Sequence, residues 1–299
     1  MVFVPFISRR ERRKLERRKG GGGGGRGGGG GGAGRGSSGG SAGGGGRGGR
    51  STSINTGAGT KSSSTYSNGG GTPAALPAGS PFAGRMAGGG TRGDVYGTRQ
   101  YGSGYPGVAG RGVNGRGFPF FFWPVAWVGT GVGASYLYTS QYGHARDGRR
   151  PGGQQYRAAF ESGSTDSTFR FLADKDSVEA IAEVVKEECG SMLKDDDDIP
   201  IDEYDGAEEE PPRPEEVVQY YRASSAALTL DGYNNTAVFE EEGAEDVPLP
   251  SGIDSGLLAC LNETIGEAVP LVDGAVSIGT PSNIGIFGLA GLIYLASQF

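Results

Sequence analysis

Residues able to do chemistry are sparse in this 299-residue chain: two cysteines, Cys189 and Cys260, a lone histidine, His144, and many carboxylates. Histidine-assisted nucleophilic catalysis would bring His144 to a Ser or Cys with an orienting carboxylate, and nothing beside Gly143 and Ala145 suggests that arrangement. Ser191-Met192-Leu193-Lys194 matches S-x-x-K, but the companion S-D-N and K-T-G motifs are missing. The GTGVG run at 129–133 has neither the dinucleotide spacing nor a suitable following helix. Two Cys and one remote His do not make a four-ligand zinc set. The acidic run at 195–198 and 208–210 lacks the alternating ligands, sixth-position glycine and twelfth-position glutamate of a calcium loop. A glycosidase pair needs two acids held rigidly across a pocket, and the acids here crowd into one loop, 195–212. The sequence therefore assigns no catalytic residue, no cofactor, no metal ligand and no small-molecule substrate.

What is left is the chemistry of export. In an oxidising compartment the two cysteines have one possible pairing, Cys189 with Cys260; two separate buried thiols are the alternative. Two N-glycosylation sequons, at Asn234 (Asn-Asn-Thr) and Asn262 (Asn-Glu-Thr), lie in the same stretch. At the far end, Asp273 is followed by Gly274 and Ala275, an eight-residue spacer and an apolar run over 284–299. Small residues, spacer and hydrophobic tail follow the order of a glycolipid-anchor signal over 274–299, with Asp273 as the attachment residue. Retained instead, the 16-residue run would give a helix of about 24 Å, short of the roughly 30 Å hydrocarbon layer.

The elements that must carry these residues fall in 156–273. Two short strands, 156–160 and 168–172, flank a Ser-Gly-Ser turn. Asp176 is placed to cap a helix, with Glu179 completing a capping box, and Val178, Ile181, Ala182, Val185, Cys189 and Met192 fall on one face. Pro214 opens a helical turn through Val218, residues 220–230 read as a strand, and a second helix starts near Ser251 with Leu257, Leu261, Ile265 and Ala268 on its face. The fold expected is α+β: a small two-layer domain with two helices over a short antiparallel sheet and a cysteine in each helix.

Upstream the composition changes. The chain holds 61 glycines, and 22 of them fall within 20–50, so residues 1–117 read as a disordered, basic Gly/Ser-rich spacer. Scattered arginines in glycine, such as Arg26, Arg35, Arg47 and Arg50, hint at RNA contact, the alternative reading of the chain, but aromatic residues are missing from 20–50 and nucleic acid is not the expected partner. A short apolar start precedes the basic stretch 9–19, the reverse of a secretory signal. The charge-free run FPFFFWPVAWVGTGVGASYLY at 118–138 is long enough to cross a bilayer and has aromatic residues at both ends, so it reads as a membrane span or a Gly-rich aromatic segment, with 139–155 as a linker.

Over about residues 75–275, the strings YGTRQYGSGYPGVAGRGVNGRGFPFFFWPVAW, RPGG at 150–153, FRFLADKDSVEAI, QYYRASSAALTLDGYNN and CLNET at 260–264 resemble a family of uncharacterised secreted or surface proteins from mushroom-forming fungi. The resemblance implies a surface or secreted protein. The tail, the sequons and the paired cysteines point to a non-enzymatic fungal cell-surface or cell-wall glycoprotein, with a membrane and cell-wall carbohydrate as its surroundings; a secreted hydrolase is a further alternative. The resemblance carries no functional residue over. The basic N-terminal stretch, where that family has a secretory start, is the departure from the pattern.

Overall fold

A computed structural model describes residues 49–129, 134–206 and 210–274. Strands β1 (Ser51–Asn55) and β2 (Thr60–Ser64) form an antiparallel hairpin, and β3 (Ala74–Ala75) pairs with β4 (Met86–Ala87). Then come β5 (Gln155–Glu161), β6 (Thr168–Asp174), α1 (Lys175–Cys189), β7 (Ile201–Glu203), β8 (Val217–Tyr221), β9 (Ala226–Leu230), α2 (Ser255–Ala268) and β10 (Leu271–Val272). The main sheet is antiparallel, in the order β7-β5-β6-β9-β8, and β10 returns to pair with β2. The fold is α+β, with two α-helices and antiparallel sheets among the described residues.

The β5–β6 hairpin follows from period-2 patterning around a polar turn, where Ser162 Oγ accepts the amides of Ser164 and Thr165. Helix α1 buries Val178, Ile181, Ala182, Val185 and Cys189 as expected. Its cap is Asp174, whose side chain accepts the Ser177 amide; Asp176, expected to cap, is already inside the first turn. The helix ends at Cys189, and the tighter 3-10 turn Gly190–Met192 rotates Met192 off the apolar face to 41% exposure. The helical turn at Pro214 stops at Glu216, and Val217 and Val218 already belong to β8. Residues 220–230 are two strands, because Arg222, Ala223 and Ser224 all take left-handed backbone and reverse the chain. Helix α2 begins after Asp254, which accepts the Leu257 amide, and buries Leu257, Leu261, Ile265 and Ala268 completely.

Neighbouring strand residues point to opposite faces, and β8 shows what lies on each. The Tyr221 hydroxyl reaches Asn262 of α2, whereas Tyr220 accepts from the Trp127 indole and packs on the Tyr101 ring. One face of the sheet thus carries the helices, and the other carries the aromatic segment. The membrane-span reading of 118–138 is corrected by this: residues 118 and 120–127 are buried within the protein and form no helix. No helix among the described residues is long and apolar enough to cross a membrane. A bilayer and a protein core select the same charge-free residues, and Pro119 and Pro124 disfavour one continuous helix across them.

The spacer reading of 1–117 is corrected where the chain is described. Residues 49–117 contain β1 to β4, and their glycines admit neighbours: a Cβ on Gly90 would lie 2.7 Å from the Phe120 ring. Gly88 and Gly90 donate to the carbonyls of Phe118 and Pro119, so the glycine run is a seat for the aromatic segment. Residues 139–155 are likewise no free linker, since Tyr142 and Arg150 are buried there. Residues 1–48, including the basic stretch 9–19 and Arg26, Arg35 and Arg47, lie outside the described residues.

Candidate functional site

Helices α1 and α2 pack side by side and bring Cys189 and Cys260 together as a disulfide, Cα to Cα 6.0 Å, across 71 positions. Cys189 is fully buried, while Cys260 is half-buried in a recess of about 190 Å³ shared with Tyr66, Glu188, Glu263 and Glu267. The two sequons differ sharply. Asn234 is exposed just before the 3-10 turn Thr236–Phe239. Asn262 is half-buried inside α2, its side-chain oxygen accepts the Tyr221 hydroxyl at 2.7 Å, and Thr264 of its sequon is buried against Cys189. Asp273 is exposed directly after β10, its carboxylate accepting the Ser64 hydroxyl at 2.8 and 2.9 Å. The spacer and apolar run beyond Gly274 lie outside the described residues.

The weaker motifs stay apart. His144 is exposed, and the nearest sequence acid, Asp147, is held by Arg149 at 2.8 Å. Lys194 pairs with Glu161 at 2.9 Å rather than with Ser191. Residues 130–133 of the glycine run, and Glu208 and Glu209 of the acidic loop, lie outside the described residues; in that loop Asp197 pairs with Lys186 and Glu210 with Arg157. Among the described residues no group of three or more His, Cys, Asp or Glu side chains is arranged to hold a metal ion.

Sequence reasoning missed the most heavily built polar groups, two buried arginines. Arg222 has no exposed surface, yet its guanidinium donates to Asp174 at 2.6 Å, Ser177 and Ser225 hydroxyls at 2.9 and 2.7 Å, and the Pro270 carbonyl at 2.8 Å. Its flat face lies 3.4 Å from the Phe122 ring centre. Arg150 has no ion pair among the described residues; it donates to the carbonyls of Tyr142, Trp123 and Pro124 and stacks over Trp123. Burial lowers both guanidinium pKa values; that of Arg150 falls to about 10, opposed first by Tyr101, and that of Arg222 is opposed by the charge and hydrogen bond of Asp174. Together they clamp consecutive residues of the aromatic segment. The only sequence signal was charge flanking an apolar run, which surface arginines give equally well.

A surface cleft of about 360 Å³ lies between residues 98–100, Arg111, Tyr136 and the loop 237–246. Its walls are pinned. Arg111 donates to the carbonyls of Ala237, Glu240 and Glu241 and stacks on Tyr136, leaving its buried Nε without an acceptor. Arg99 donates to the Tyr233 hydroxyl and the Val247 carbonyl, and the Tyr136 hydroxyl, raised to about 12 chiefly by burial, donates to the Val238 carbonyl. Asn235, fully buried behind the loop, donates to Asp246 and accepts the Val247 amide. Chemically, this is a pre-formed recess offering donors and acceptors of both signs.

No family model matches the chain, and no curated protein or solved structure is similar to it.

Proposed function

We propose that this chain is a non-enzymatic fungal cell-surface or cell-wall glycoprotein whose disulfide-braced domain is displayed outside the cell. The observation that carries the reading is the Cys189–Cys260 bond, which joins the only two cysteines of the chain across α1 and α2. Such bonds persist in secreted and surface proteins and are reduced in the cytosol, and closing a loop of this length stabilises a domain by roughly 4 kcal/mol in the chain-entropy model. The exposed sequon at Asn234 and the exposed Asp273, followed by Gly274 and Ala275, support the same route. The resemblance to surface proteins of mushroom-forming fungi supports it as well. Its buried arginines are spent inside the fold, Arg150 on main-chain carbonyls and Arg222 on Asp174, two serine hydroxyls and the Phe122 ring, as suits a rigid module more than an active centre.

The test is the state of the protein recovered from a fungal host. Removal of N-glycans should increase its gel mobility, Asn234→Gln should abolish most of that change, and thiol labelling under denaturing conditions should find no free cysteine. An unglycosylated protein with two reactive thiols would overturn the reading. Mass spectrometry of the mature C-terminus tests the anchor: a glycolipid-bearing peptide ending near Asp273 is expected, and recovery of Phe299 from mature membrane protein rejects it.

A further inference from the structure

We infer that the cleft between Arg111 and the loop 237–246 is a binding subsite for a neutral oligosaccharide; the identification of carbohydrate as the partner rests on the surface reading above. The volume, about 360 Å³, falls in the range of roughly 300–1,000 Å³ for small-molecule sites. The walls are fixed before any ligand arrives, since Arg99 and Arg111 are each held by carbonyls and stacked on a tyrosine. A ligand entering there finds Arg99, Arg111 and Tyr136 already held, which leaves Gln100 and Glu242 as the side chains to order.

The charge and hydrogen-bonding capacity choose the class. Two arginines face two acids, Glu242 and Asp246, so the lining is balanced. An anionic ligand would need guanidinium forks, and Arg111 already gives both terminal nitrogens, and Arg99 one of its two, to acceptors of the protein. A cationic ligand would meet those same two positive charges. A polyol suits what is open: among the described residues the side chains of Gln100 and Glu242 have no hydrogen-bond partner, and the second oxygen of Asp246 is open beside the one that accepts from Asn235. Hydroxyls donate and accept together, and planar amide and carboxylate groups can each span an adjacent pair of them.

The experiment is calorimetric titration of the full chain with three probes, a β-1,3-glucan hexasaccharide, a chitin hexasaccharide and an oligogalacturonide, repeated with the Gln100→Ala/Glu242→Ala variant. Among the described residues neither replaced side chain makes a hydrogen bond or ion pair, so the melting temperature should not change. Binding of a neutral probe, weakened about tenfold or more in the variant by the loss of two hydrogen-bonding groups, is the expected result. No binding of either neutral probe at millimolar concentration, equal binding by the variant, or binding of the oligogalacturonide alone would overturn the inference. The two readings fail separately: a glycosylated, oxidised protein that binds neither neutral probe loses only the cleft assignment, and an unglycosylated, reduced one that binds loses only the surface assignment.

Discussion

Replacing Arg222 by Met should be among the most damaging single changes in the protein. The substitution keeps most of the volume and the same left-handed backbone requirement at φ 52°, so it isolates the guanidinium. What disappears is the ion pair to Asp174, 5% exposed, with the bonds to Ser177, Ser225 and Pro270 and the stacking on Phe122. Removing one partner of a buried pair leaves the other charge uncompensated and typically costs about 3–5 kcal/mol, against a whole-domain stability of roughly 5–15 kcal/mol. Asp174→Asn leaves the N-cap acceptor in place but strands the arginine, and should cost a similar amount. The double variant removes both charges, so it should be no less stable than the weaker single. Denaturant unfolding followed by the fluorescence of the buried Trp123 and Trp127 measures all four corners of the cycle. If the single variants do not fold, a double variant that does fold carries the same message. Strict additivity, or a loss below about 1 kcal/mol for Arg222→Met, would refute the argument that the pair is a coupled buried unit.

Three further outcomes are expected. Cys260→Ser should lower stability by roughly 4 kcal/mol, and equal melting of oxidised and reduced protein would defeat the assignment of the bond as a brace. Asp254 is held below its ordinary value of 3.8, first by the Leu257 amide and then by the Ser162 hydroxyl. Its contribution is therefore present above pH 3.8 and lost as pH falls through the depressed value, so Asp254→Asn should flatten the acid limb of denaturant midpoints, and an unchanged limb rejects this. Trp127→Ala should cost about 3–5 kcal/mol in thermal unfolding, since it empties a core position and strands the Tyr220 hydroxyl; a variant as stable as the parent would contradict the burial of the segment.

The parts legible in the sequence were those with local periodicity. The β5–β6 hairpin and both helices announce themselves by spacing, and the disulfide follows once each helix has a cysteine. The β1–β2 hairpin gives almost no signal, because of Ser51–Asn55 only Ile54 is buried and the rest reads as Ser/Thr spacer. Residues 118–127 misled because hydropathy reports that a segment leaves water without saying where it goes. What places it inside the protein is Arg222 and Arg150, one of them 100 positions from Phe122, and a non-local pairing of that kind has no local pattern. The cleft was illegible for the same reason: Gln100, Arg111, Tyr136 and Asp246 are brought together only by the folded loop.

The pairing of β10 with β2 sets an order of events during synthesis. Ser64 and Asp273 meet across 209 positions, so the strand made first must wait on the ribosome for nearly the whole domain before its edge is covered. Until then β1 and β2 stand as a two-stranded hairpin, which is marginal in water and has an open edge facing other nascent chains. The Ser, Thr and Lys residues of Thr60–Ser64 that made the segment look like spacer thus have a second use, because a polar strand can stay solvated without aggregating while its last partner is still being translated.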